Sequence, residues 1–386
     1  MEITNEYKYL GLKLTPSGSI KVAVQELFEK ASRAWFGISN TIYRNKRLEV
    51  KKALAIFDSL VTPVALYGTE FWLPHILSDK TFKNEKNLLN AWEVFTAEKL
   101  NQKCCRMILS VQNKTSRLAV LGELARYPLF FKSLAQCLNY KVALLSTKSN
   151  FLQNAVFEMK KISDQGEDCW LSHVNKIEGL LKIIKPCFYN KTSGRLINSA
   201  LRSKFDCYWL QKINELKIGE NDTTNHNKLR TYNTFKASFT IEPYIELVRN
   251  RNQRAFLARL RVGSHNLAIE LGRRTRPITP LAQRVCSHCA PPPTPLSRSP
   301  QRPSTSYSQQ ASIDTEFHFL MKCPKFTVKR NDFFDRISSI DPKFTLLTAE
   351  QKFLTLLCPV TAQNTKLVNR FIETMFLARN KIETNS

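Results

Sequence analysis

The stretch SIKVAVQELFEKASRAWFGI, residues 19–38, decides the fold class that this sequence predicts. Its apolar residues recur every three to four positions, which gives one continuous stripe along an α-helix. The stripe comprises Ile20, Val24, Leu27, Phe28, Ala31, Trp35 and Ile38. Ser19 precedes it, and serine is a favourable N-cap. The stretch therefore predicts a long amphipathic helix that buries one face.

Helical patterning continues along most of the chain. A second stripe runs from Val50 to Val64, with Asn45 upstream as its cap and Pro63 expected to end or bend the helix. Further patterns cover residues 87–109, 118–124, 129–145, 170–184, 199–216 and 367–378. Thr348 and Gln351 have the spacing of a capping box at the start of another helix. We therefore expect a mainly α protein.

The beginning of the chain is patterned differently. Between residues 7 and 15, Leu10, Leu12 and Leu14 alternate with polar or small residues, a period of two that predicts one β-strand. A single strand cannot satisfy its own backbone hydrogen bonds. Either this strand docks on something outside the chain, or it is the trimmed end of a larger sheet.

Changes in composition divide the chain into six predicted segments. These are a short β segment at 1–18, one helical bundle at 19–145, a helical connector at 146–240, a basic helical segment at 241–285, a small metal-binding module at 286–330 and a helical tail at 331–386. Residues 290–312 of the module are rich in Pro and Ser and form an insertion that cannot pack a core.

Composition and charge restrict the function classes. The 386 residues are 43% hydrophobic and 10% aromatic, which excludes a disordered chain. Lysine and arginine number 58 against 32 acidic residues, a formal charge of +26, and such an excess favours a polyanionic partner, most commonly nucleic acid. With no apolar stretch approaching the roughly 18 residues of a membrane span and no secretory signal, we expect an intracellular protein. Its ten cysteines are then thiols or metal ligands.

The strongest chemical signal is a set of cysteines and one histidine. Cys286 and Cys289 stand two residues apart, and His318 and Cys323 follow after a spacer of 28 residues. Three thiolates and one imidazole suit a tetrahedral zinc ion. Lengthening the spacer from about 4 residues costs only about 1.7 kcal/mol, whereas structural zinc contributes on the order of 10 kcal/mol. His288 is a competing ligand, and the alternative is that these cysteines lie in a loop by chance.

A second signal is an arginine-rich segment. Its eight arginines are Arg249, Arg251, Arg254, Arg259, Arg261, Arg273, Arg274 and Arg276. The planar guanidinium group of arginine can donate two hydrogen bonds to phosphate oxygens and suits them better than the ammonium group of lysine. Arg254 and Arg261 are seven residues apart and hence on one helical face, while Phe256 and Leu260 can anchor the helix. We predict that these arginines bind nucleic acid; the alternative is a solvated basic face.

Motifs of catalysis are missing from the sequence. There is no glycine-rich phosphate loop, no Asp-Asp pair for two metal ions and no Gly-x-Ser-x-Gly elbow. Cys104 and Cys105 sit in a helical pattern and are expected to be buried, and the five tryptophans are expected in the core. We therefore assign no catalytic residue and expect no enzyme activity and no small-molecule substrate.

Five stretches, in this order, resemble the C-terminal part of a reverse transcriptase of non-LTR retrotransposons, of the LINE type and jockey-like. They are EYKYLG at 6–11, LVTPVALYGTEFW at 60–72, AVLGELARYP at 119–128, RLRVGSHNLAIELGR at 259–273 and DTEFHFLMKCP at 314–324. The likeness extends from about residue 6 to about residue 377.

The resemblance implies a structure and a role for each region. The Tyr-Leu-Gly strand would close the polymerase palm, with its partner sheet upstream, and the following helices would form a thumb that grips the template–primer duplex. It also implies Cys286, Cys289, His318 and Cys323 as ligands of a zinc module that binds nucleic acid. The fingers, the catalytic carboxylates of the palm and any endonuclease are missing from this sequence, and the Pro/Ser insertion exceeds the usual spacer of the family.

We therefore expect a nucleic-acid-binding fragment, located in the nucleus or the cytoplasm, that contacts RNA or DNA and possibly the upstream reverse-transcriptase domains. One alternative is that the chain belongs to an active RNA-directed DNA polymerase once joined to an upstream half. The other is an inert or repurposed remnant that acts through protein contacts.

Overall fold

A computed structural model of the chain describes residues 6–78, 82–183, 191–215, 229–289 and 312–383. Within these residues the protein is mainly α-helical, which confirms the predicted fold class. The predicted insertion at 290–312 lies, except for Ser312, outside the described residues. None of the described helices is both long enough and apolar enough to cross a bilayer.

The described elements are short strands at the start followed by helices. They are β1 Tyr7–Tyr9, β2 Leu12–Leu14, α1 Lys21–Arg44, α2 Val50–Leu60, α3 Thr62–Ala65, α4 Thr69–Ser78, α5 Glu85–Asn90, α6 Glu98–Leu109, α7 Arg117–Leu124, α8 Leu129–Leu145, α9 Asn150–Asp164, α10 Trp170–Leu181, α11 Lys191–Glu215, α12 Tyr232–Phe235, α13 Pro243–Leu247, α14 Arg251–Arg261, α15 Ala268–Leu271, α16 Thr327–Ile340, α17 Ala349–Leu357 and α18 Ala362–Glu383. Single turns of 3₁₀-helix lie at Ala91–Val94, Leu281–Gln283, Pro324–Phe326 and Pro342–Leu346, and a π-helical turn lies at His318–Lys322.

The chain folds into two compact units, and both are discontinuous in sequence. The first contains residues 1–45, 50–105 and 125–211, and the second contains residues 46–49, 106–124 and 212–386. The expected continuous bundle at 19–145 therefore differs from the observed division, because residues 46–49 and 106–124 belong to the second unit. The segment boundary expected at 145 also falls inside the first unit.

The chain begins with a β-hairpin, and not with the single strand that its alternation predicts. Strands β1 and β2 are antiparallel, with Tyr9 opposite Leu12. Leu10 and Gly11 form the turn, and both have positive φ angles, 45° and 86°, as in the two-residue turns that suit hairpins. Leu10 is therefore 72% exposed and does not share a buried face with Leu12. The strand thus has a partner in its own chain, and the Tyr67 hydroxyl donates a hydrogen bond to the Leu10 carbonyl at 2.7 Å.

The core of the first unit is aromatic, and four of the five tryptophans are buried as expected, whereas Trp170 is half-buried. Trp72, Trp92 and Trp209 are fully buried, and Trp35 packs edge-on against Phe57 with ring centroids 5.6 Å apart. Cys104 and Cys105 are also fully buried, so their predicted core position is confirmed.

Local signals at helix ends were only partly predictive. Helix α2 ends at Leu60 and Pro63 lies in the first turn of α3, so the predicted break is confirmed. Asn45, however, caps the C-terminus of α1, and α1 begins after Ile20 without a side-chain cap. Ser19 and Asn45 are therefore not the N-caps that the sequence predicts.

The second unit is organised around a buried ionic cluster. Glu123 on α7 accepts hydrogen bonds from the Arg261 guanidinium on α14 at 2.9 and 3.0 Å and from the Tyr244 hydroxyl at 2.5 Å. Arg261 also pairs with Glu242 at 2.6 Å. Burial opposes the charge of Arg261, yet the carboxylates of Glu123 and Glu242 raise its pKa well above the ordinary value. This cluster explains why α7 belongs to the second unit.

The C-terminal helices complete the second unit. The capping box predicted at Thr348 is confirmed, because the backbone N–H of Gln351 donates to the Thr348 hydroxyl and the Thr348 N–H donates to the Gln351 side chain. Helix α18 is anchored by Arg379, which forms a buried ion pair with Asp314 at 2.8 Å. The tail therefore packs against the segment that leads into His318.

Candidate metal centre and basic segment

The structure brings the four predicted metal ligands together in the second unit. The ligand atoms of Cys286, Cys289, His318 and Cys323 all lie within 4.8 Å of one another. The Cys289 Sγ is 3.3 Å from His318 Nε2 and 3.4 Å from Cys323 Sγ, and the two sulfurs of Cys286 and Cys323 are 4.0 Å apart. The four residues therefore form a group that can hold a metal ion.

The first pair of ligands is positioned by backbone hydrogen bonds across the ends of the insertion. The Cys289 N–H donates to the Cys286 carbonyl at 3.1 Å, which folds the pair into a turn. Val285 and Ile313 form an antiparallel β-bridge, and the Cys286 N–H donates to the Ser312 carbonyl at 2.9 Å. Since these bonds already hold the two ends together, the closure of the long spacer does not depend on the metal alone.

The second pair of ligands requires a helical turn wider than α. Residues five apart on an α-helix point about 140° away from each other. His318–Lys322 instead form a π-helical turn, and the Cys323 N–H donates to the His318 carbonyl at 2.7 Å. Such turns are rare and occur frequently at functional sites. The wider turn brings the His318 ring and the Cys323 thiol to the same cluster.

Arg330 on α16 supports this turn, although no sequence pattern distinguishes it from the other arginines. Its guanidinium donates to the carbonyls of Leu320 and Cys323, both at 2.7 Å, and its side chain is buried. An arginine seven residues after a candidate metal ligand has no distinctive sequence pattern. Only its hydrogen bonds show that it fixes the backbone of Cys323.

His288 does not join the cluster as the competing ligand that its position suggests. Its ring packs edge-on against the Phe326 ring, with centroids 5.9 Å apart. The candidate group comprises the other four residues. The structure therefore favours the three-cysteine, one-histidine set over sets that include His288.

The thiols of the cluster lie close enough to interact with one another. The hydrogen bond between Cys286 and Cys323 raises the pKa of Cys286 to about 12 and lowers the pKa of Cys323. Metal binding by thiolates releases protons, so the affinity of such a cluster for a metal ion increases with pH. Cys286 and Cys323 are fully buried and His318 nearly so, whereas Cys289 lies at the surface edge of the cluster.

The arginine-rich segment divides into a buried and an exposed set. Arg251, Arg254 and Arg261 are at most 5% exposed, and Arg254 donates to the backbone carbonyls of Val248 and Arg249. Burial lowers the pKa of Arg254 to about 10. Side chains in these positions do not reach a phosphate, so this part of the nucleic-acid assignment does not fit the structure. The face that carries Arg254 and Arg261 is the inward face of α14.

The remaining five arginines are more accessible, but some of them have partners. Arg259 is half-buried and its Nε donates to the Ser110 carbonyl at 2.7 Å. The Arg273 side chain is 5% exposed and lies 3.5 Å from the Glu270 carboxylate. Arg274 is half-buried, while Arg249 and Arg276 are exposed. Arg249 and Arg276 are therefore the members of the segment best placed to meet a polyanion.

Comparison of the chain with protein-family models, curated proteins and solved structures finds no match.

Proposed function

We propose that this chain binds nucleic acid through its second unit, and that a structural zinc ion at Cys286, Cys289, His318 and Cys323 stabilises that unit. The observation that carries the proposal is the convergence of these four side chains from two segments 28 residues apart in sequence. The high positive charge of the chain supplies the reason for a polyanionic partner.

The distances within the cluster suit zinc. With Zn–S bonds of about 2.3 Å, two sulfurs of a tetrahedral site lie about 3.8 Å apart, and the cluster has S···S distances of 3.4 and 4.0 Å. Three thiolates and one imidazole complete a four-coordinate site, which is typical of structural zinc and leaves no open position for catalysis.

Exposed cations lie close to the cluster in sequence and support a polyanion-binding role. Lys322 ends the His318 turn and Lys325 follows it, and both side chains are exposed. The exposed guanidinium groups of Arg249 and Arg276 belong to the same unit. Phosphate contacts of this kind give affinity without reading sequence.

The proposal extends to the origin of the chain. We infer from the order of the five matching stretches that it corresponds to the thumb and the C-terminal module of a reverse transcriptase. In this interpretation the chain grips RNA or DNA, and any polymerase centre belongs to a different segment. An inert remnant would not keep a metal-binding cluster, so metal content discriminates between the two.

The test combines metal analysis with a binding measurement. We expect native mass spectrometry to find one zinc per chain in the wild type and in the C207S variant, whose cysteine is exposed and outside the cluster. C286S removes a ligand, and we expect it to lose the zinc. Fluorescence anisotropy with labelled RNA and DNA should show binding at about 50 mM salt that weakens steeply by about 200 mM. A zinc-loaded chain that binds neither nucleic acid at low salt would contradict the proposal.

A further inference from the structure

A cleft in the second unit combines cationic walls with a buried hydrogen-bond acceptor, the side chain of Asn369. It has a volume of about 690 Å³ and lies between the segment around Arg47, the residues that lead into α14, and α18. We propose that this cleft binds the sugar–phosphate backbone of an RNA strand. The proposal rests on the proposed function, and it names the site and the type of nucleic acid.

The walls of the cleft carry cations from three separate parts of the sequence. Arg249 precedes α14, Lys366 and Arg370 stand one turn apart on α18, and Arg47 completes the set; all four are exposed. Within the described residues, Arg249, Lys366 and Arg370 form no ion pair with a carboxylate. Glu373 is the one acidic residue in the wall. The cations in the walls outnumber the single Glu373 carboxylate, so the cleft is a focus of net positive charge.

The start of α14 adds to this charge. Asn250 caps the helix through its side chain, and Asn250 and Gln253 both line the cleft. The N-terminal end of a helix of 11 residues carries partial positive charge from the aligned dipoles of its peptide groups. An anionic group in the cleft therefore meets cationic side chains and a helix dipole of the same sign.

Asn369 indicates that the ligand also supplies a hydrogen-bond donor. The side chain is 2% exposed and lies in the wall of the cleft. Its Nδ2 donates to the Thr365 carbonyl at 2.8 Å, while its Oδ1 has no partner among the described residues. A buried acceptor without a donor is uncommon in proteins. Glu373 provides a second acceptor nearby in the sequence of α18.

Phosphates beside hydroxyl donors are the repeating chemistry of RNA. Each ribose carries a 2′-hydroxyl within the same nucleotide as its phosphate, and this hydroxyl lets a protein distinguish RNA from DNA. The backbone of DNA has the phosphates but not this donor. The combination of cations with the acceptors Asn369 and Glu373 therefore fits RNA better than DNA.

The cleft also separates the arginines of the arginine-rich segment into two groups with different roles. Arg254 and Arg261 point into the unit and stabilise it, whereas Arg249 lies outside the helix and lines the cleft. Lys366 and Arg370 come from more than 100 residues further along the chain. The polyanion-binding surface thus lies at the N-terminal end of α14, where it meets α18.

The experiment compares two variants of equal charge in the full chain. K366A/R370A removes two cations of the cleft, and K329A/K343A removes two exposed lysines of the same unit that lie outside it. The probes are labelled oligouridylate and oligodeoxyuridylate of about 12 nucleotides, which differ only in the 2′-hydroxyl. We expect K366A/R370A to weaken oligouridylate binding about tenfold and to lower the log–log salt slope by about 1.4, the value for two phosphate contacts on a single strand.

The control variant and the wild type provide the outcomes that would contradict the proposal. K329A/K343A should weaken binding by about twofold or less, and the wild type should prefer oligouridylate about fivefold, the effect of one net hydrogen bond. Equal losses in the two double variants, or equal affinity of the wild type for both oligonucleotides, would overturn the proposal. If K366A/R370A does not fold, R249Q replaces it, since Arg249 is an exposed residue outside any helix. A wild-type chain that binds neither probe refutes the proposed function itself.

Discussion

Replacing Arg261 with methionine removes the central cation of the buried cluster in the second unit. The Arg261 and Glu123 side chains are completely buried, and Glu242 is 12% exposed. The guanidinium group also donates to the Leu357 carbonyl and stacks on the Phe235 ring at 4.2 Å. Methionine keeps much of the side-chain volume but leaves the buried Glu123 carboxylate beside tyrosine hydroxyls and without its cationic partner.

The expected cost is large for a single substitution. Removing one partner of a buried ion pair destabilises a protein by about 3–5 kcal/mol, because the remaining charge is uncompensated. For a unit of this size, each kcal/mol lowers the melting temperature by about 2–4 °C. We therefore expect R261M to melt about 6–20 °C below the wild type when circular dichroism follows unfolding.

Two further variants make the result specific. R249M removes an exposed arginine from the same segment and should change stability by about 0.5 kcal/mol or less. R261M/E123L removes both charges and should recover part of the loss, because it leaves no unpaired Glu123 carboxylate. If R261M instead melts like the wild type and mainly loses nucleic-acid affinity, Arg261 faces the ligand and the reasoning from its burial is refuted.

Three further predictions concern other parts of the chain. R330M frees the carbonyls of Leu320 and Cys323, so we expect weaker zinc retention in a chelator titration than in K329M, the neighbouring exposed position. Burial raises the pKa of Glu98 to about 7, which means that the folded state holds a proton that the unfolded state releases from about pH 4.5. Stability should therefore fall by up to about 3 kcal/mol between about pH 4.5 and pH 7 and level off above that range. Urea unfolding at several pH values should show a smaller fall for E98Q, and an unchanged fall would rule Glu98 out as its source. G11A places a Cβ at φ +86°, which should cost about 1–2 kcal/mol, whereas G37A in α1 meets no atom within 4 Å and should stabilise the chain by about 0.5–1 kcal/mol in the same thermal unfolding measurement.

Local patterns in the sequence were sufficient for several of the helices and for the four candidate metal-ligating residues. The stripe from Ile20 predicts α1, and the Thr348 capping box predicts the start of α17, because both depend on residues within a few positions of each other. The Cys286–Cys289 and His318–Cys323 spacings likewise identify ligand pairs that each come from one short segment.

Tertiary structure decided the features that depend on distant partners. The alternation at the chain start is equally compatible with one strand or with a hairpin, and the left-handed conformation of Leu10 and Gly11 makes it a hairpin. The convergence of the two ligand pairs required the β-bridge between Val285 and Ile313 and a π-helical turn, neither of which has a signature in the sequence.

The arginines show most clearly which features the local sequence predicts and which features only the tertiary structure decides. By itself, the sequence determined that the segment 249–276 is cationic and that part of it is helical. It did not determine which guanidinium groups meet solvent, because the same side chain stabilises a buried carboxylate or binds a phosphate. Whether a guanidinium group is buried or exposed depends on partners that are distant in sequence. Arg261 is paired with Glu123, which lies 138 residues before it, whereas Arg249 lies in a cleft with Lys366 and Arg370 of the last helix. Burial and pairing are properties of the folded chain, so only the tertiary structure separates the arginines that hold the unit together from Arg249, which lines the cleft.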